Sequence, residues 1–242
     1  MNAEPICPLS LYSATPLWGE FTICFHTLAT SSKPAANKAR ASLRLGAPST
    51  SLCGYIKVAN ATTGQCIGYV SKNFDARGEY VVDKWNFAVE VAFSAYTTGL
   101  TNLISMYNSP APSTRSLSPY IGASIAGYSA DLGATSPNYA VLTGVSQTSR
   151  NARPQNGRSS TGLPLIESAI WTFDSRNYQL TASWMTNSAQ LLPATIAYDP
   201  EDLHQISIAA CPIAYHQVRP AAIAVFPPWI SNADALDARN SS

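Results

Sequence analysis

The clearest hydrophobic pattern in the sequence is a strict alternation near the middle of the chain. Large apolar residues occupy every second position there: Trp85, Phe87, Val89, Val91 and Phe93. Asn, Ala and Glu occupy the positions between them. A period of two places one set of side chains on one face of an extended strand, whereas helical spacing would scatter them around a cylinder. The pattern predicts one half-buried strand from Trp85 to Phe93.

Two further segments have the pattern of β-hairpins. In the first, Gly54–Val58 leads through a turn rich in Asn, Thr and Gly into Cys66–Val70. Gly64 can supply positive φ in that turn. In the second, Ser168–Phe173 leads into Tyr178–Trp184 through a turn bracketed by Asp and Asn, which tolerate left-handed geometry.

Other segments are also typical of strands, and long loops separate them. The expected strands are Glu20–Leu28, Tyr139–Thr143, Ala194–Tyr198, His204–Ala210 and Ala221–Phe226, and a short helical turn is expected near Asn232–Asp237. The long loops, rich in Pro, Ser and Gly, are Thr30–Ser51, Asn108–Pro119 and Gln147–Pro164. Seventeen prolines disfavour long helices. We therefore predict an all-β protein, an antiparallel β-sandwich or flattened barrel, with residues 1–242 forming one domain.

Composition agrees with a folded β-rich chain. Of the 242 residues, 46% are hydrophobic and only 12% are charged, which argues against intrinsic disorder. The net charge of +1 is too small to suggest nucleic acid or an anionic membrane as a partner. The charges are nevertheless uneven, because no acidic residue lies between Glu20 and Asp75 while six basic residues do. A solvated surface explains this asymmetry most simply, and a local anion site is the alternative.

Cysteine usage and the N-terminus favour a cytoplasmic protein. The five cysteines are odd in number and include no Cys-x-x-Cys pair, so we expect reduced thiols. Residues 1–8 lack a basic start followed by an apolar stretch of signal-peptide length. No run of apolar residues is long enough for a membrane span.

The sequence contains no recognisable catalytic or metal-binding motif. The four residues that could be imagined as metal ligands are Asp202, His204, Cys211 and His216, but their spacing matches no zinc pattern and Pro212 is expected to break any helix that would align them. Of the three histidines, His26 is expected to pack within a strand. Nucleophile-elbow and nucleotide-binding motifs are absent, so we expect a protein that is not an enzyme. A hydrolase acting through dispersed carboxylates such as Glu167 or Asp174 remains open.

The aromatic residues suggest ligand binding more than any other feature does. Most rings of such a chain fill its core, but flat rings also stack on sugars and on planar organic molecules, while a few polar groups fix the orientation. The candidate ligand-binding residues on or beside the two hairpins are Trp171, Trp184, Tyr69, Lys72, Asn73 and Asn187. No metal is expected.

Parts of the sequence resemble a known family. The segments Gly54–Asn60, Gly68–Asn73 and Glu167–Asp174, with Trp184 and Asn187 downstream, are similar to a family of small fruiting-body proteins of mushrooms, most of them uncharacterised. The chain also resembles the pink, pigment-binding chromoproteins of oyster mushrooms. This resemblance implies a non-covalently bound organic chromophore of the indolone type. It assigns no individual binding residue.

The leading hypothesis is therefore a non-enzymatic protein that holds an aromatic ligand or pigment in an aromatic-lined pocket. The alternative is a carbohydrate-binding lectin of a fungal fruiting body. The partner would be a small molecule or a glycan, not nucleic acid or a membrane. A homodimer is also compatible with the sequence, because exposed strand edges tend to pair.

Overall fold

Antiparallel strands make up most of the computed structural model, which describes residues 51–94, 99–106, 118–126, 131–176, 179–226 and 229–231. The first strands are β1 (Ser51–Asn60), β2 (Cys66–Phe74), β3 (Tyr80–Asp83), β4 (Glu90–Ser94), β5 (Leu103–Ser105), β6 (Tyr120–Ile125), β7 (Ala140–Val145) and β8 (Gln155–Asn156). They are followed by β9 (Leu165–Glu167), β10 (Trp171–Asp174), β11 (Gln179–Met185), β12 (Leu191–Asp199), β13 (Gln205–Ala209), β14 (Ile223–Phe226) and β15 (Trp229–Ser231). A 3₁₀ turn covers Trp85–Phe87, and one helix, α1, covers Pro212–Val218.

The strand pairing closes on itself. From β13 the hydrogen-bonded order runs through β3, β2, β1, β4, β5 and β6, and β7 then pairs with both β6 and β13. The hairpin of β10 and β11 extends from β12, and β14 joins β12 to β1. Every pairing in this path is antiparallel. The predicted fold class, an antiparallel all-β sandwich or flattened barrel, is confirmed.

The main hydrophobic core lies inside this ring. In β1, Leu52, Ile56 and Val58 are buried, whereas Tyr55 and Lys57 are half-exposed on the other face. The same alternation continues in β4, where Val91 and Phe93 point into the core. Burying one face of each strand fixes the pairing register, because a slip by one residue would turn the apolar set toward solvent.

Both predicted hairpins are present. In the first, Lys57 of β1 lies opposite Tyr69 of β2, and Gly64 takes the left-handed conformation with φ of 69°. In the second, Trp171 lies opposite Ala182. The predicted strands at 139–143, 194–198, 204–210 and 221–226 correspond to β7, β12, β13 and β14. The predictions at Glu20–Leu28 and 232–237 lie outside the described residues, as do His26 and most of two predicted loops.

The strand predicted from Trp85 to Phe93 is wrong in its first half. Trp85–Phe87 forms the 3₁₀ turn, and β4 begins only at Glu90. Ala88 and Val89 are consecutive and both are buried, so the alternation of exposed and buried side chains is interrupted between the turn and β4. The alternation holds for Val89, Val91 and Phe93, but Trp85 is half-exposed and Phe87 is 37% exposed.

Three other expectations need correction. Pro212 does not break a helix but begins α1, because the first helical position needs no backbone N–H donor. Residues 147–164 are not one uninterrupted loop, since they include β8. Cys211 is disulfide-bonded, whereas reduced thiols were expected, and Cys66 is a free thiol. No helix within the described ranges is long and apolar enough to cross a membrane.

Candidate functional site

The two tryptophans that the sequence suggested as ligand-binding residues lie inside the core. Trp171 is 1% exposed, and its indole N–H donates a hydrogen bond of 2.7 Å to the carbonyl oxygen of Ile121. Trp184 is 0% exposed, and its indole N–H has no hydrogen-bond partner among the described residues. Both rings contribute to the main hydrophobic cluster. They would meet a ligand only in an interior cavity.

The cavity beside Trp171 is too small for an organic ligand. It has a volume of about 10 Å³ and is lined by aliphatic side chains that include Ile56, Leu142 and Ile206. That volume is about the minimum needed to hold one water molecule. A second cavity of about 10 Å³ lies where α1 crosses β12 and β13, beside Tyr215 and His216. The interior of the described barrel is therefore filled by its own side chains around Trp171.

Asn187 lies at the end of β11, close to two acidic side chains. Its backbone N–H donates to Oδ2 of Asp131 at 3.1 Å, and the backbone N–H of Met185 donates to both carboxylate oxygens of Glu167 at 3.1 and 3.2 Å. Glu167 is 3% exposed, and burial raises its pKa to about 8, against the effect of the Met185 hydrogen bond. Asp174, the other carboxylate named from the sequence, is exposed in the β10–β11 turn and accepts a bond from the Arg176 N–H.

Tyr69 belongs to a partly exposed cluster of rings on the outer side of the sheet. The indole of Trp85 stands against two tyrosines on neighbouring strands, with ring centroids 4.5 Å from Tyr55 and 5.0 Å from Tyr69. The interplanar angles of 67° and 75° are edge-to-face contacts, the geometry that aromatic pairs favour. All three rings are half-exposed. The two tyrosines therefore fix the indole at the surface without burying it.

Lys72 connects this cluster to the end of the 3₁₀ turn. Its ammonium donates to the carbonyl oxygen of Asn86 at 3.2 Å and lies 5.7 Å from the ring centroid of Phe87. This distance is within the range of a cation–π interaction. Asn73 follows on β2, and its side chain is exposed, as is that of Asn86. We call the set Tyr55, Tyr69, Lys72, Trp85 and Phe87 the Trp85 surface.

The phenol of Tyr69 remains a hydrogen-bond donor at neutral pH. Burial, with a smaller contribution from the nearby Cys66 thiol, raises the pKa of Tyr69 above its ordinary value. The Trp85 surface thus combines flat apolar rings with a phenol, an ammonium group and exposed amides. These are the groups that hold a ring-shaped ligand by its face and edge.

The sequence predicted Tyr69, Lys72 and Asn73 as ligand-binding residues but placed Trp85 and Phe87 on one face of a half-buried strand. The six predicted residues do not form one site. Trp171 and Trp184 lie in the core, Tyr69, Lys72 and Asn73 lie on β2, and Asn187 lies after β11. The available signal for the 3₁₀ turn was the polar pair Asp83–Lys84, which ends β3 and precedes Trp85.

A second polar cluster lies where the β2–β3 and β12–β13 turns meet. The Arg77 guanidinium contacts three carboxylates: Asp75 at 3.0 Å, Glu79 at 3.1 Å and Asp202 at 2.9 Å. Arg219, at the end of α1, contacts Asp202 at 2.5 Å and the Tyr139 hydroxyl at 2.7 Å. We call this the Arg77–Arg219 network.

The charges of this network are largely satisfied within the protein. Burial would raise the pKa of Asp202, but Arg219 and Arg77 together hold it below its ordinary value. Burial raises the pKa of Glu79 despite a hydrogen bond of 2.6 Å from Gln205 and the charge of Arg77. We interpret the network as a clamp between two turns. Within the described part of the chain, no group of three or more His, Cys, Asp or Glu residues could hold a metal ion.

Comparisons of the chain with protein-family models, with curated proteins and with solved structures find no match. The resemblance to mushroom fruiting-body proteins therefore stays a prediction.

Proposed function

We propose that this protein is a non-enzymatic binding protein that holds a planar ligand, an aromatic small molecule or pigment, on the Trp85 surface. The observation that carries the proposal is the contrast between the tryptophans. Trp85 is half-exposed and fixed edge-to-face by two tyrosines, whereas Trp171 and Trp184 are sealed in a filled core. A ring held rigidly at the surface can stack on a ligand with little loss of side-chain entropy on binding.

A lectin is the second candidate, and the exposed amides favour it. Asn73 and Asn86 are exposed and adjoin Lys72 and Trp85 in the sequence, and a side-chain amide both donates and accepts hydrogen bonds. Sugar hydroxyls need such groups at the edge of an aromatic platform. Binding of glycans on an array, lost on substitution of Trp85, would favour this function over binding of an aromatic molecule.

The experiment that tests the proposal compares native protein with two variants. We expect the purified native protein to carry a co-purifying small molecule, detected by absorption beyond the protein band or by mass spectrometry. Trp85→Ala should abolish the signal. Leu191→Ala, which removes another exposed apolar side chain (45% exposed), serves as the matched control and should retain it.

A native protein that has no absorption beyond the protein band and no co-purifying molecule would contradict the proposal. So would a bound ligand that Trp85→Ala retains at the native level while circular dichroism shows both proteins folded.

A further inference from the structure

Lys57 places a positive charge beside the rings of the Trp85 surface. It lies on β1 directly opposite Tyr69, whose ring contacts Trp85. Side chains of directly opposed residues start about 5 Å apart, so the half-exposed lysine side chain reaches the edge of the ring cluster. Lys57 forms no ion pair with any described residue, unlike the arginines of the Arg77–Arg219 network. Its charge is therefore available to a ligand.

Lys84 supplies a second ammonium group next to Trp85 in the sequence. It immediately precedes Trp85, is exposed, and likewise has no ion pair within the described ranges. Its backbone N–H donates to the Asp83 carboxylate at 2.7 Å, which ties the start of the 3₁₀ turn to the end of β3. Lys72 completes the set but is already engaged with the carbonyl oxygen of Asn86.

Two carboxylates oppose these lysines. Glu90 lies on β4 directly opposite Tyr55, and Asp83 lies on β3 opposite Tyr69. The Asp83 carboxylate accepts the backbone N–H of Lys84. Lys57 and Lys84 have no ion pair within the described ranges, so their positive charges favour a ligand that carries an acidic group.

We propose that the Trp85 surface selects ring-shaped ligands that carry an acidic group, with Lys57 and Lys84 binding that group while the ring stacks on Trp85. This inference rests on the proposed function and specifies its ligand class. It also gives a role to part of the acid-free stretch between Glu20 and Asp75, since Lys57 and Lys72 both belong to it.

The test measures dissociation constants by NMR titration for two matched pairs of probes. One pair is 4-hydroxybenzoate and neutral 4-hydroxybenzamide, and the other is glucuronate and glucose, so the two arms distinguish an aromatic acid from an acidic sugar. In at least one arm the anion should bind about fivefold more tightly than its neutral partner, the scale expected for one or two exposed charge pairs.

Two further variants test the inference, one that removes a positive charge and one that removes a negative charge. Lys57→Gln should weaken binding of the anion about threefold, and Glu90→Gln should strengthen it about twofold, while neither changes binding of the neutral probe. Arg176→Gln, at an exposed turn after β10, is the control and should change nothing. Equal binding of anion and neutral probe in both arms, or an anion affinity unchanged in Lys57→Gln, would overturn the inference and leave the proposed function standing. Failure of all four probes to bind would count against both.

Discussion

The Arg77–Arg219 network yields a stability prediction that can be worked out from its geometry. We consider Arg77→Gln, which removes the positive charge but keeps a polar side chain of similar length. Arg77 joins three carboxylates at 2.9–3.1 Å and so connects the β2–β3 turn to the β12–β13 turn. The side chains of Asp75 and Glu79 are only 8% exposed, so water replaces the lost guanidinium poorly.

The expected loss of unfolding free energy is about 2 kcal/mol. An exposed ion pair contributes at most about 1 kcal/mol, and removing one partner of a fully buried pair costs roughly 3–5 kcal/mol. The arginine side chain is 38% exposed, which places this site between the two limits once solvent screening is included. The Arg219 contacts to Asp202 remain in the variant and keep the second turn partly anchored.

The assay is urea unfolding followed by circular dichroism at neutral pH, with Arg176→Gln as the exposed control. The pKa of Asp202 is held below its ordinary value, so its ion-pair contribution is present above the unfolded-state pKa and is lost as the pH falls through the folded-state pKa. Native protein and Arg77→Gln should therefore converge in stability in acid. A loss below about 0.5 kcal/mol at neutral pH, equal to that of Arg176→Gln, would refute the reasoning.

Three further predictions concern the core. Burial raises the pKa of Glu167 to about 8, above its unfolded value, so native stability should fall as the pH rises from about 4.5 to 8, and Glu167→Gln should remove most of this slope in urea unfolding. In Gly122→Ala, the new Cβ would meet the Glu167 carbonyl oxygen at 2.3 Å, so thermal unfolding should show a loss of about 2 kcal/mol, whereas Gly133→Ala, whose nearest contact is the Ser136 side chain at 3.3 Å, should show a smaller loss. Trp171→Phe loses an indole hydrogen bond, whereas Trp184→Phe loses none. The unfolding free energy of Trp171→Phe should therefore fall by about 1 kcal/mol more than that of Trp184→Phe. Equal losses in the two variants would contradict this account.

The parts of the fold that sequence predicted correctly are those encoded locally. The first hairpin follows from alternating residues on either side of a turn in which Gly64 takes positive φ and the Asn60 side chain accepts bonds from the N–H groups of Thr62 and Thr63. Each of these interactions spans only a few residues. The same holds for the hairpin of β10 and β11.

The candidate site was predicted only in part, because its determinants are not local. Lys57 and Tyr69 meet only through strand pairing, and Trp85 becomes a surface ring because the chain enters a 3₁₀ turn rather than extending β4. The contact of Arg77 with Asp202 spans 125 residues. Periodicity could not show whether Trp171 and Trp184 fill the core or line a ligand pocket, because a ring in either role lies on the inward face of a strand.

The central claim is that ligand binds at Trp85 on the surface rather than beside the interior tryptophans. The most direct test is fluorine NMR of protein labelled with 5-fluorotryptophan, with the five indole signals assigned by single Trp→Phe variants. On titration with 4-hydroxybenzoate, we predict that the Trp85 signal shifts with saturation while those of Trp171 and Trp184 stay in place. Shifts at Trp171 or Trp184 with an unmoved Trp85 signal would contradict the account.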